Sequence, residues 1–208
     1  MKKIETGFSN IFRFENILPV EDLLKIRTYV ERKCGPFPRD PKGHSIPWKN
    51  GDWILNLDID DPEIKKIFSN HREIVKGLVE ECLQETLYIQ ISTMVLWRPG
   101  NYIPWHRDNT ASSDEGDTGE DAKGLVATAV TYINDDYLGG VTHIQQENRI
   151  YESIPSAGSL IIFPSDSTGL HQVTEVTKCN RISISTMFTK NPEEAEDNLS
   201  KDDDSISY

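Results

Sequence analysis

After residue 86 the apolar residues of this chain stop recurring at helical spacing and begin to alternate. Seven short runs follow: "LYIQISTMVLWRPG", "LVATAVTYIND", "GGVTHIQ", "RIYESIP", "GSLIIFPS", "HQVTEV" and "RISISTMFT". They are rich in Ile, Val, Thr and Tyr, and Gly, Pro, Asn and Asp separate them, which is the signature of strands. Strands in such number with no helix between them predict a sandwich or barrel, and a jelly roll is the commonest small closed version. Gly139 and Gly140 are read as a tight bend.

The first 86 residues read differently. "LPVEDLLKIRTYVERKCG" places Leu23, Leu24, Ile26 and Val30 at helical spacing, with acids early and bases late, and predicts an amphipathic helix that ends before Gly35. In the segment from Asp61 to Gln84, Ile64, Ile67, Phe68, Val75, Leu78, Val79 and Cys82 recur in the same way, with Asp61 as N-cap and Pro62 at the first helical position. The 208 residues therefore suit one α+β domain over 1–190, with helical support in 1–86 and a jelly-roll core in 87–190.

Charge narrows the partners. The net charge is −12, but residues 109–124 and 191–208 together supply −10 of it, through twelve acids against two lysines. The body is nearly neutral and offers no basic stripe, so a nucleic-acid partner is not expected. Residues 191–208 are too acidic and too poor in apolar residues to pack, and are read as a disordered tail. The three cysteines, Cys34, Cys82 and Cys179, are widely spaced and form no CxxC pair, which suits reduced thiols inside a cell. The start "MKKIETGFSN" has basic residues but no apolar region after them, and no run of about 18 apolar residues occurs, so a cytoplasmic chain with no membrane partner is expected.

One short motif carries chemistry. In "YIPWHRDN" strand alternation puts His106 and Asp108 on one face, where an imidazole and a carboxylate can share a cation. A third ligand must come from farther along. Of the five histidines, His44 and His71 read as surface residues, while His143 in "VTHI" competes with His171. Arg181 supports His171. It lies ten residues later, across a supposed hairpin that would separate the two by about 16 Å, a gap that two long side chains and a five-carbon diacid would fill. Two histidines and one carboxylate leave one face of an octahedral metal open, as in non-haem Fe(II) oxygenases; a closed zinc site would want a fourth protein ligand.

The runs "HRD" (106–108), "TYINDDYLGGVTHI" (131–144) and "GSLIIFPSDSTGLHQVTEVTKCNRISISTMF" (158–188) resemble the Fe(II)/2-oxoglutarate dioxygenases, and within them the prolyl 4-hydroxylase group of bacterial and viral type. The resemblance spans Leu87 to Thr189 and implies a double-stranded β-helix, the jelly roll of this superfamily. It implies His106, Asp108 and His171 as iron ligands, and Arg181 as the partner of the distal carboxylate of 2-oxoglutarate. Tyr132 and Thr142 match further cosubstrate-binding positions. Fe(II), 2-oxoglutarate and O2 are the implied cofactors, with ascorbate as reductant, and no catalytic side chain is implied beyond the metal site. The implied substrate is a proline-containing peptide or protein, hydroxylated as in procollagen-proline 4-dioxygenases with release of succinate and CO2. A free amino acid or another protein side chain is the alternative substrate; a zinc hydrolase or a silent jelly-roll binding module is the alternative class. Met187 stands where nucleic-acid demethylases carry a second arginine. Trp97 and Tyr102 are candidates for the substrate pocket, and the polar segment 109–124 is read as a loop or lid at the barrel mouth.

Overall fold

A computed structural model describes residues 1–36, 51–113, 116–121, 124–166 and 168–196. The long alternating runs become strands of two facing antiparallel sheets. The larger sheet contains β1 (Lys2–Ile4), β2 (Phe12–Glu15), β3 (Asp52–Leu55), β4 (Tyr88–Trp97), β8 (Leu125–Tyr132), β12 (Leu160–Pro164) and β15 (Arg181–Thr189). Its order is β1-β2-β12-β8-β15-β4-β3. The smaller sheet has the order β11-β10-β13-β5, formed by β5 (Ile103–His106), β10 (Thr142–Gln146), β11 (Arg149–Ser153) and β13 (His171–Val173). Two short pairs complete the described strands: β6 (Thr110–Ser113) with β7 (Gly116–Asp121), and β9 (Leu138–Gly139) with β14 (Val176–Lys178). This is the expected jelly roll, a double-stranded β-helix.

Alternation along β15 divides the interior. Ile182, Ile184 and Phe188 face the helices α1 (Val20–Cys34) and α2 (Pro62–Leu83), joining Leu96 and Met94 of β4 in one apolar cluster. Arg181 and Ser183, one residue out of phase, face the smaller sheet. α2 begins as its sequence predicts, with the Asp61 side chain accepting from the backbone N–H groups of Glu63 and Ile64. α1 ends at Cys34, where Gly35 takes a φ of 69°.

Several expectations need correction. Residues 1–86 are not only helical support, because β1, β2 and β3 extend both edges of the larger sheet; runs of three or four residues are too short to show a period. Leu24 points outward and is exposed. Within the segment 109–124, the described residues Thr110–Ser113 and Gly116–Asp121 pair as the strands β6 and β7. Tail residues up to Glu196 are ordered: Pro192–Glu194 form a 3-10 turn and Glu196 pairs with Arg72 at 2.8 Å in a buried setting. Residues 197–208 of that tail lie outside the described residues, as does His44.

His71, read as a surface residue, is 1% exposed. It follows Phe68 by three positions and precedes Val75 by four, so the helical period puts it on the buried stripe, where its Nε2 meets Thr131 Oγ1 at 2.9 Å. Burial, with some help from the neighbouring Arg72 charge, pushes its pKa from the usual 6.5 down to about 3. The unfolded chain therefore binds the proton and the folded one does not, so stability is lost as pH falls from about 6.5 toward 3. Thermal unfolding followed against pH is expected to show a loss on the order of 2 kcal/mol by about pH 5 from this group, and His71→Phe is expected to flatten the profile.

Candidate active site

The two facing sheets converge on three donors. His171 of β13 lies directly opposite His106 of β5, and Asp108 follows in the turn after β5. One ligand atom from each of His106, Asp108 and His171 lies within 4.8 Å of the others. Asp108 Oδ1 is 3.6 Å from His106 Nε2 and 3.7 Å from His171 Nε2. The imidazole centres are 4.2 Å apart. Among the described residues no fourth His, Cys, Asp or Glu joins this cluster.

Backbone and hydroxyl groups orient each donor. His106 Nδ1 pairs with the Pro104 carbonyl at 2.8 Å and His171 Nδ1 with the Gly169 carbonyl at 2.9 Å. With Nδ1–H donating to a carbonyl, each Nε2 keeps its lone pair turned toward the common centre. Thr128 donates to Asp108 Oδ2 at 2.6 Å, and its own oxygen is 2.7 Å from Ser165 Oγ. That leaves Oδ1 to face the imidazoles. Burial pushes His171 down to about 4, so it is neutral near pH 7. Burial works to raise Asp108, but His171, His106 and the Thr128 hydroxyl outweigh it and hold the carboxyl well below the usual range. Phe163, 4.7 Å from the His171 ring, closes one side. Two neutral nitrogens and one carboxylate, pre-aimed and with no fourth His, Cys, Asp or Glu among the described residues, fit a facially bound Fe(II).

Register settles the competition between His143 and His171. Ile144 pairs with His171, so His143 points to the opposite face of the smaller sheet, where it meets Gln172 at 3.0 Å. The expected hairpin from His171 to Arg181 is absent. β14 intervenes and pairs with β9, and the two residues stand on different sheets.

Arg181 is 1% exposed. It donates to Ser183 Oγ at 3.2 Å and to Thr142 Oγ1 at 3.4 Å, while its Nε has no hydrogen-bond partner among the described residues. Its Cζ lies 4.9 Å from the Trp97 ring centre and 5.3 Å from that of Tyr132. Thr142 shares the inner face of its strand with Ile144, which is opposite His171. Two residues of strand, about 7 Å, thus separate the point that Arg181 reaches from the triad. The glycines make room. A Cβ on Gly140 would stand 2.9 Å from Arg181 Cδ, and one on Gly139 would stand 1.9 Å from the Glu175 carbonyl oxygen, so close approach as well as the bend requires them.

The remaining candidates divide. The Tyr132 hydroxyl is bonded to Thr142 Oγ1 at 3.0 Å and Ser153 Oγ at 2.9 Å, so it acts on Arg181 through Thr142. Trp97 is buried at the Arg181 end, its indole N–H donating to Ser183 Oγ, whereas Tyr102 is half-buried just before β5. Thr128, Ser165 and Ser183 escape sequence reasoning, since hydroxyl residues in strands are ordinary; Ser183 alone carries a hint, being two residues from Arg181 on the same face. Thr128→Val is expected to weaken Fe(II) binding about 10- to 100-fold, the usual effect of losing a group that orients a metal ligand. Calorimetric Fe(II) titration checks this.

Residues 89–189 match the family model described as the 2OG-Fe(II) oxygenase superfamily. The matched span, just under half of the chain, contains the whole triad and Arg181. Solved structures share the fold. A prolyl-4-hydroxylase from Pseudomonas putida superposes with a TM-score of 0.61 at 18% identity, covering 88% of this chain and 93% of that one. The viral collagen prolyl hydroxylase of Paramecium Bursaria Chlorella virus-1, in its 2OG complex, gives 0.62 at 12% identity, with 88% and 97% covered. A Trichoplax adhaerens prolyl hydroxylase, in complex with a hypoxia inducible factor oxygen degradation domain peptide fragment, gives 0.58 at 15% identity, with 93% and 89% covered. No curated protein sequence matches the chain. Among the described residues, no helix is long and apolar enough to cross a membrane.

Proposed function

We propose that the chain is an Fe(II)- and 2-oxoglutarate-dependent dioxygenase that hydroxylates a prolyl residue of a peptide or protein. The observation that carries the reading is Arg181, a buried cation with no acidic partner among the described residues, which reaches Thr142 two strand residues, about 7 Å, from the His106, Asp108 and His171 triad. An unpaired buried guanidinium is costly unless an anion joins it, and a five-carbon dicarboxylate spans the gap. In this reading the three ligands hold Fe(II), Arg181 receives the distal carboxylate bidentately, and Thr142, Ser183, Trp97 and Tyr132 fix the guanidinium. When bound, Fe(II) would supply the coupling of O2 reduction to the decarboxylation of 2-oxoglutarate, giving succinate, CO2 and one oxygen atom inserted into a substrate C–H bond. The protein contributes position, holding the metal ligands and the guanidinium at a fixed separation. Ascorbate is the reductant in this reading.

The prolyl assignment is supported by the fold neighbours, one of which is bound to a peptide fragment. A cytoplasmic setting is proposed with it, supported by the free thiols of Cys34, Cys82 and Cys179. The test is incubation with Fe(II), 2-oxoglutarate, ascorbate and a panel of proline-rich peptides. Succinate formation with a mass gain of one oxygen atom on a prolyl residue is expected; succinate stimulated only by free amino acids or non-prolyl peptides would overturn the substrate assignment.

A further inference from the structure

Beside Arg181 stands a second polar group that nothing so far has used. Tyr137 is 6% exposed, and its hydroxyl has no hydrogen-bond partner among the described residues. It sits between β8 and β9, within "NDDYLGG", and it meets Arg181 over Gly140. A Cβ on that glycine would lie 2.9 Å from Arg181 Cδ and 3.3 Å from Tyr137 Cε2. The missing side chain lets the phenol and the guanidinium share one small space. Native proteins satisfy nearly all buried polar groups, yet here Arg181 Nε and the Tyr137 hydroxyl are both left open at the same place. Burial, opposed by the nearby Arg181 charge, pushes the Tyr137 phenol well up, so it is protonated and able to donate.

Tyr132, the phenol that the sequence resemblance assigns to the cosubstrate, is differently occupied. Its hydroxyl lies between those of Thr142 and Ser153, within hydrogen-bonding distance of both. A phenol has one hydrogen to give, and Tyr132 has two acceptors already at hand.

We propose that Tyr137, and not Tyr132, is the phenol that donates to the distal carboxylate of the dicarboxylate cosubstrate, completing with Arg181 a two-residue anchor for that group. The inference rests on the function proposed above and specifies how its cosubstrate is recognised. A carboxylate offers about four lone-pair sites on its two oxygens, so a neutral phenol can donate to one oxygen beside the cationic guanidinium. A 2-oxo acid that lacks the distal carboxylate would gain nothing from either.

The test is anaerobic calorimetry of Fe(II)-loaded protein with 2-oxoglutarate, in wild type, Tyr137→Phe and Tyr132→Phe, which reads binding without turnover. Tyr137→Phe is expected to weaken binding about 10- to 100-fold, the effect of losing a hydrogen bond to a charged group, and to weaken it more than Tyr132→Phe does. The melting temperature of ligand-free Tyr137→Phe is expected to be unchanged or raised, because an unsatisfied buried hydroxyl is removed. Wild-type affinity in Tyr137→Phe, or an equal or larger loss in Tyr132→Phe, overturns the inference while the proposed function stands. Absence of 2-oxoglutarate binding in the wild type overturns the proposed function and the inference with it.

Discussion

Arg181→Met is expected to lower the affinity for 2-oxoglutarate by about 30-fold to several thousand-fold, the range for truncating one partner of a buried, hydrogen-bonded charge pair. The same substitution is expected to raise the melting temperature of the ligand-free protein. Arg181 is 1% exposed, its Nε is open, and its described partners are neutral hydroxyls, so without an anion it is a buried charge whose removal relieves desolvation. Met fills similar volume without that charge. Opposite signs for binding and stability are the mark of a residue kept for a ligand rather than for the fold. Arg181→Lys is expected to recover only part of the binding, because an ammonium lacks the planar fork that grips both carboxylate oxygens. Calorimetry and thermal melting on the same preparations check both halves. Weakened binding with a fall in ligand-free stability would assign Arg181 to the core instead.

His171→Ala is expected to abolish both stoichiometric Fe(II) binding and succinate formation. Its effect should exceed the about 10- to 100-fold loss expected at Thr128, because a ligand is removed rather than a group that orients one. Two donors, His106 and Asp108, remain. His143→Ala is the matched control. It changes a histidine on the adjacent strand whose ring points to the other face, and it should leave Fe(II) binding unaltered. A similar loss in both variants would mean that the register of β10 against β13 is not what brings His171 to the site.

The sequence made the strand-rich core legible because its runs are long and alternate cleanly. β4 and β15 emerge from "LYIQISTMVLWRPG" and "RISISTMFT" nearly end to end. His106 and Asp108 were legible for the same reason, being two apart beside a strand. The choice between His143 and His171 was not, because each lies in a plausible strand and only the pairing of Ile144 with His171 decides which ring faces inward. The hairpin from His171 to Arg181 failed because local spacing does not reveal that β14 turns aside to pair with β9. His71 was open to a stricter use of the helical period, since Phe68, His71 and Val75 share one stripe. Tyr137 gave no sign at all: a tyrosine in a turn is unremarkable until the fold lays it beside a buried arginine.

In this reading His106, Asp108 and His171 hold iron while Arg181 holds the far end of a dicarboxylate bound to it. Anaerobic titration of the metal-free protein with Fe(II) and then 2-oxoglutarate, read by visible absorption, tests it most directly. A weak metal-to-ligand charge-transfer band that saturates at one equivalent of each, and that is absent in His171→Ala, is the predicted result. A correctly folded wild type that binds neither Fe(II) nor 2-oxoglutarate and shows no band would contradict it.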